Sequence, residues 1–209
     1  HTNNYNKIHD LELYNNPHLE SQVASISDDI AYNNHDLEDA IRAKLISLDS
    51  LNEISYFKDI NIFLLSKFKS IDVSLLTYQM LRESISRMVN DIIKQSVKNV
   101  ESQNIKSIKD IYKNKTFVIA MSENMKKDCN LIKEFLYQNV YNHPKLKEKR
   151  SKVENITRNL FKYYSINFHL LPNDWLVQEK NESKFRIICD YISGMTDRYA
   201  SKLYKSIYE

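Results

Sequence analysis

A chain of 209 residues with one glycine, Gly194, has few ways to reverse direction tightly. Two-residue hairpins depend on Asn-Gly, Asp-Gly or Gly-X, and many other turns need a residue at positive φ. Prolines are scarce too: Pro17, Pro144 and Pro172 are all there are. Strand-rich folds are therefore disfavoured, and an all-α protein is expected.

The apolar spacing supports this. Leu19, Val23, Ile26, Ile30, Leu37, Ile41, Leu45 and Leu48 recur at three, four or seven, which predicts one long amphipathic helix over 18–48. A shorter helical segment is expected over 57–69. A further helix, capped by Asp72 or Ser74, is expected to run to about 100. Ile105–Ile111 reads as a short helix, and Thr116–Ala120 as a lone extended segment with nothing to pair with. Ser122 begins a helix to about Tyr141, ended by His143-Pro144. A basic helix follows over 145–168, then a turn at Asn173-Asp174 carrying Trp175, and a last helix over about 181–208. With no internal repeat and no Gly/Ser linker, residues 1–209 are expected to form a single all-α region.

Thirty basic and 27 acidic residues give a net charge of +3, too even to imply a nucleic-acid or membrane partner by itself. No apolar run approaches the roughly 18 residues of a membrane span. Cys129 and Cys189 fit no metal or redox spacing, so two reduced thiols in the cytoplasm are expected. The start, HTNNYNKIHD, lacks the apolar centre of a signal peptide, and the missing initiator Met predicts a processed or trimmed product.

Chemistry concentrates on the first helix. Asp28, Tyr32 and Asp36 lie at i, i+4 and i+8, so two carboxylates and a phenol share one stripe. Such a stripe can bind a metal and a hydroxylated ligand, although the polar face of an amphipathic helix more often meets only water. His9-Asp10 and His35-Asp36 invite a metal reading, but His1, His9, His18, His35, His143 and His169 form no helical pair. There is no GxSxG elbow and no glycine-rich phosphate loop. Lys145, Lys147, Lys149, Arg150 and Lys152 form a basic cluster, of the kind that is usually a solvated face.

The segment LESQVASISDDIAYNNHDLEDAIRAKL (19–45) closely resembles a signature of the bacterial dGTP triphosphohydrolase-like proteins of the HD-domain phosphohydrolase superfamily. CDYISGMTDRYASKLYKSIY (189–208) resembles that family's ending, and FLYQNVYNHPKL (135–146) also fits. The resemblance implies an all-α carboxyl-terminal portion of a divalent-metal (Mg²⁺ or Mn²⁺) enzyme. That enzyme splits a deoxynucleoside triphosphate into deoxynucleoside and tripolyphosphate. It implies Asp28 as a metal ligand, with Tyr32 and Asp36 meeting the deoxyribose 3′ hydroxyl. Arg198 is a candidate phosphate contact, with Arg82 and Arg87 weaker ones.

Neither His-Asp pair stands where the family carries its own, so one metal ligand of four is kept and this chain alone is expected to be inactive. Partners implied are a deoxynucleoside triphosphate, further copies of the chain in a homo-oligomer and, weakly supported, single-stranded DNA. The rival is a non-catalytic helical module that binds nucleic acid or nucleotide, or serves oligomerisation. Gly194 inside a helical pattern costs about 1 kcal/mol against Ala, so a packing or close-approach reason is expected there.

Overall fold

The computed structural model describes residues 7–10, 13–68, 70–177 and 182–208, and among them every regular element is helical. The all-α expectation holds. The chain divides into two compact units, His1–Tyr141 and Asn142–Glu209. The division falls at Asn142-His143-Pro144, with none of the linker composition that the sequence reading looked for.

In the first unit, α1 (Leu19–Arg42) packs on α3 (Val73–Ser102), and α2 (Ser55–Lys67) packs on α3 and on a 3₁₀ turn, Asp49–Glu53. A short α4 (Ile108–Lys113) and α5 (Glu123–Phe135) follow, and a π-helical turn, Leu136–Tyr141, returns to α1. Leu37, Phe57, Ile60, Met80, Met88 and Ile132 fill its core. In the second unit, α6 (Pro144–Ile166) packs against α8 (Lys184–Ser193) and α9 (Asp197–Tyr208), with a 3₁₀ turn at Phe168–Leu170 and α7 at Asn173–Leu176. Tyr164, Phe168, Leu171, Ile187, Ile188 and Tyr191 form that core, and Trp175 meets Tyr191 edge-on.

Local chemistry explains most boundaries. The Asp72 carboxylate accepts from the backbone N–H groups of Ser74 and Leu75, capping α3. Ser107 and Asp110 form a capping box at α4, and Asp110, taking backbone bonds from Lys106 and Ser107, is held below the usual carboxylate range. Ser122 caps α5, and His143 with Pro144 starts α6.

Three expectations need correction, and three touch residues outside the described ones. The first helix stops at Arg42, not 48: Lys44 enters the left-handed region at φ 54°, and Leu45 N–H bonds back to Ala40 O at 2.9 Å. The same closure ends α3 at Asn104, φ 52°, with Ile105 N–H on Val100 O. The last helix is two, broken at Gly194 and restarted by Thr196, whose hydroxyl accepts from Tyr199 N–H. Third, Gly194 has no close-approach role: φ is −79°, and an added Cβ would meet only carbonyl oxygens at 3.5 and 3.6 Å, ordinary contacts. Residue 69, the expected end of the second segment, residue 181, the expected start of the last, and His1 lie outside the described residues.

Thr116–Ala120 is not a strand but an irregular stretch with bends at Thr116, Val118 and Ile119. Its backbone is satisfied by side chains. The N–H groups of Val118 and Ile119 donate to Gln22 Oε1 at 2.9 and 3.1 Å, and Ala120 N–H donates to Ser96 Oγ at 3.3 Å. Asn99 Nδ2 donates to Val118 O at 2.8 Å. Gln22 is 2% exposed, whereas Val23, the expected core residue beside it, is 45% exposed. The polar side chain is inside because an irregular segment without strand partners needs an acceptor there.

Replacing Gln22 by Leu should strand two backbone donors, each costing about 1–3 kcal/mol, so stability should fall by roughly 2–4 kcal/mol in urea unfolding. The glycine sits where it is not needed and is missing where it would help. Both Gly194→Ala and Lys44→Gly should raise stability, each by about 0.4–1 kcal/mol, measured by the same unfolding curves.

Candidate functional site

The face of α1 opposite the core carries the expected stripe. Asp28 is exposed, Tyr32 is 60% exposed, and Asp36 is half-buried. Asp29, one residue on, turns about 100° away. It is paired with Lys133 of α5 at 3.3 Å, so the two adjacent acids have different surroundings.

The π-helical turn adds a residue that the sequence reading gave no role. The Tyr141 hydroxyl donates to Asp36 Oδ2. Burial raises the Tyr141 phenol well above its ordinary value, and the Asp36 carboxylate raises it further, with Tyr32 contributing. Tyr32, Asp36 and Tyr141 thus form one cluster. A regular α-helical count from Ser122 misplaces Tyr141, because π-helical turns shift the register of every residue after Phe135.

The other candidates are placed as follows. Arg198 is exposed on α9 in the second unit, lining a shallow groove with Asp197, Ser201, Lys202 and Lys205. Arg87 pairs with Glu83 at 2.9 Å and lies over the Phe63 ring, while Arg82 is exposed. His9 is exposed, His35 stands 3.8 Å from Glu38, His18 bonds the Tyr112 hydroxyl, and His143 caps α6. Lys145, Lys147, Lys149, Arg150 and Lys152 lie on exposed turns of α6. Both cysteines are free, and burial pushes the Cys129 thiol up to about 11.

A divalent metal needs several donors converging. Among the described residues no three of His, Cys, Asp and Glu do so, and Asp28 stands as a single carboxylate. The described residues do not by themselves fit a metal centre. What they do form is an open surface of carboxylate, phenol and a phenol-bonded carboxylate, suited to accepting hydrogen bonds from a hydroxylated ligand.

The electrostatic link between Asp36 and Tyr141 is measurable. In Asp36→Asn the Tyr141 phenol should ionise at lower pH, because a neutral amide no longer opposes the phenolate. It should remain above the ordinary value of about 10, because burial persists. Titration of the Tyr141 ¹³Cζ resonance reads both outcomes.

A phosphohydrolase-associated domain model matches residues 119–206. The chain is 39% identical over 206 residues to the deoxyguanosinetriphosphate triphosphohydrolase-like protein of Rickettsia prowazekii (strain Madrid E), covering 97% of this chain and 54% of that protein. The proteins of the same description from Rickettsia rickettsii (strain Iowa) and Rickettsia canadensis (strain McKiel) are 38% and 37% identical over the same length, with 54% and 55% of each covered. The chain thus spans about half the length of these relatives. No described helix is long and apolar enough to cross a membrane. Over the length that it spans, the chain is similar to the carboxyl-terminal portion of these deoxyguanosinetriphosphate triphosphohydrolase-like proteins, with a phosphohydrolase-associated domain at residues 119–206.

Proposed function

We propose that the chain is the carboxyl-terminal part of a metal-dependent hydrolase that splits a deoxynucleoside triphosphate of the dGTP type into deoxynucleoside and tripolyphosphate. The observation that carries this reading is the exposed face of α1, where Asp28, Tyr32 and Asp36 stand in line and Tyr141 bonds Asp36. Asp28 is the metal ligand, and the ion's other ligands come from outside the described residues. Tyr32 and Asp36 take the sugar hydroxyl. A carboxylate has about four lone-pair sites, so the bond from Tyr141 leaves Asp36 free to accept from a ligand as well. Arg198 is the candidate phosphate contact. Without the remaining ligands the 209 residues release no tripolyphosphate from dGTP, and clear release by the purified chain with Mg²⁺ or Mn²⁺ would overturn that.

In the full-length protein, Asp28→Ala should lose bound metal and turnover together. Asp29→Ala, losing a surface ion pair of about 0–1 kcal/mol, should lose little of either. Asp36→Ala should keep its metal, since Asp36 lies about 11 Å along α1 from Asp28. It should nevertheless narrow the preference for a deoxynucleotide over its 2′,3′-dideoxy analogue by about 10- to 150-fold, the worth of one charge-assisted hydrogen bond. Metal analysis and kcat/KM for both substrates test the set. A more damaging Asp29→Ala, or an unchanged ratio in Asp36→Ala, would overturn the assigned register.

A further inference from the structure

We propose that the apolar groove between α1 and α3 is covered, in the full-length protein, by an amphipathic helix from the part that lies outside these 209 residues. The groove has a volume of about 460 Å³, and Val23, Ile30, Ile85, Val89 and Ile93 are among its lining residues. Val23 is 45% exposed, Val89 42% and Ile93 57%. Contiguous apolar surface of this kind marks a contact with another protein surface.

The groove offers a small polar molecule little to bond. The Ser96 hydroxyl along it is already taken by Ala120 N–H, which leaves Ser27 and His35 as its polar side chains. Its length suits a helix instead. Along α3 the lining runs from Ile85 to Ser96, about 16 Å or three helical turns, enough for apolar residues presented at i, i+3, i+4 and i+7.

The source of that helix follows from two observations. The matched relatives have almost as much chain again beyond the 54% that this one spans. Rotation about α1 then gives the side from which such a part approaches. With Asp28 as origin, Tyr32, Asp36 and Asp29 lie about 40°, 80° and 100° to one side. That side is closed by the Tyr141 hydroxyl on Asp36 and by Lys133 on Asp29. His35, Ala31 and Ser27 lie about 20°, 60° and 100° to the other side, and all three line the groove. A helix seated there adjoins the open flank of Asp28 and brings further donors within reach of it. That last step rests on the reading of Asp28 as a metal ligand, whereas the apolar covering does not.

The test is photo-crosslinking of the full-length protein carrying Ile93→p-benzoylphenylalanine. Irradiation should join position 93 to a residue outside the 209 within the same chain. The product should keep the monomer's mass on a denaturing gel, and mass spectrometry identifies the joined peptide. Ile93→Cys covers the case in which the bulky group is not tolerated. Its thiol should react with N-ethylmaleimide at least about tenfold more slowly in the full-length protein than in the 209-residue chain, because a buried thiol is inert. Both results should survive EDTA and Asp28→Ala. An Asp28→Ala protein that keeps its metal, with the cross-link in place, would remove the metal assignment and leave the groove's occupant standing. A cross-link to a second copy, a cross-link confined to the 209 residues, or no cross-link with Ile93→Cys equally reactive in both proteins would each overturn the proposal.

Discussion

The carboxamide of Gln22 ties the 118–119 backbone and Pro17 to α1. An irregular stretch that buries Val118 without a neighbouring strand carries backbone donors and acceptors that must be met by something. Here Gln22 accepts from Val118 and Ile119 while its amino group donates to Pro17 O, so one side chain fastens three points of the backbone. Asn99, Ser96 and Asp91 complete the arrangement, the last by taking both the N–H and hydroxyl of Ser122. With Gln22 turned inward, the rotation of α1 about its own axis is set, and so is the side on which Asp28 and Tyr32 emerge.

This polar interior has a cost. Asn34 uses its amino group on Ile30 O and the Met88 sulfur, leaving its carbonyl oxygen without a partner, and the Ser84 hydroxyl is likewise unmet. An apolar α1 would pack more cheaply, but it could not supply acceptors to the 118–119 backbone. Near-absence of glycine has a parallel consequence. Two helices end through left-handed residues that carry side chains, Lys44 and Asn104, where glycine would adopt the same φ without strain.

Those two features also mark where the sequence was legible. The caps Asp72 and Ser122 could be placed or bracketed from residue type alone, as could the His143-Pro144 boundary, whereas the Ser107–Asp110 capping box lies inside the stretch expected to be helical. The Lys44 closure could not, because lysine gives no sign of a left-handed turn. Gly194 is visible in the sequence, but the apolar spacing runs on through it, and the cap that restarts α9, the Thr196 hydroxyl, lies within that same spacing. The stripe of Asp28, Tyr32 and Asp36 was readable from i, i+4, i+8 spacing. Tyr141 was not, since a π-helical turn breaks the arithmetic that relates residue number to angle. Gln22 was hidden for a different reason: its value lies in a segment 96 residues away.

The two ends of the exposed α1 face differ in how complete they are. At the Asp36 end, the Tyr141 hydroxyl fixes one carboxylate oxygen, and the partial burial that raises the phenol also strengthens its bond to the anion. That end needs no further protein group to present an oriented acceptor. At the Asp28 end nothing of the kind exists: the carboxylate is exposed, and it belongs to no group of three potential metal ligands among the described residues. A ligand hydroxyl can therefore be met by α1 and the π-helical turn as they stand. A metal ion cannot, and must draw its other donors from elsewhere. On the proposed reading, sugar recognition and metal binding are separable along a single helix, the first built into this fold and the second dependent on what is brought to it.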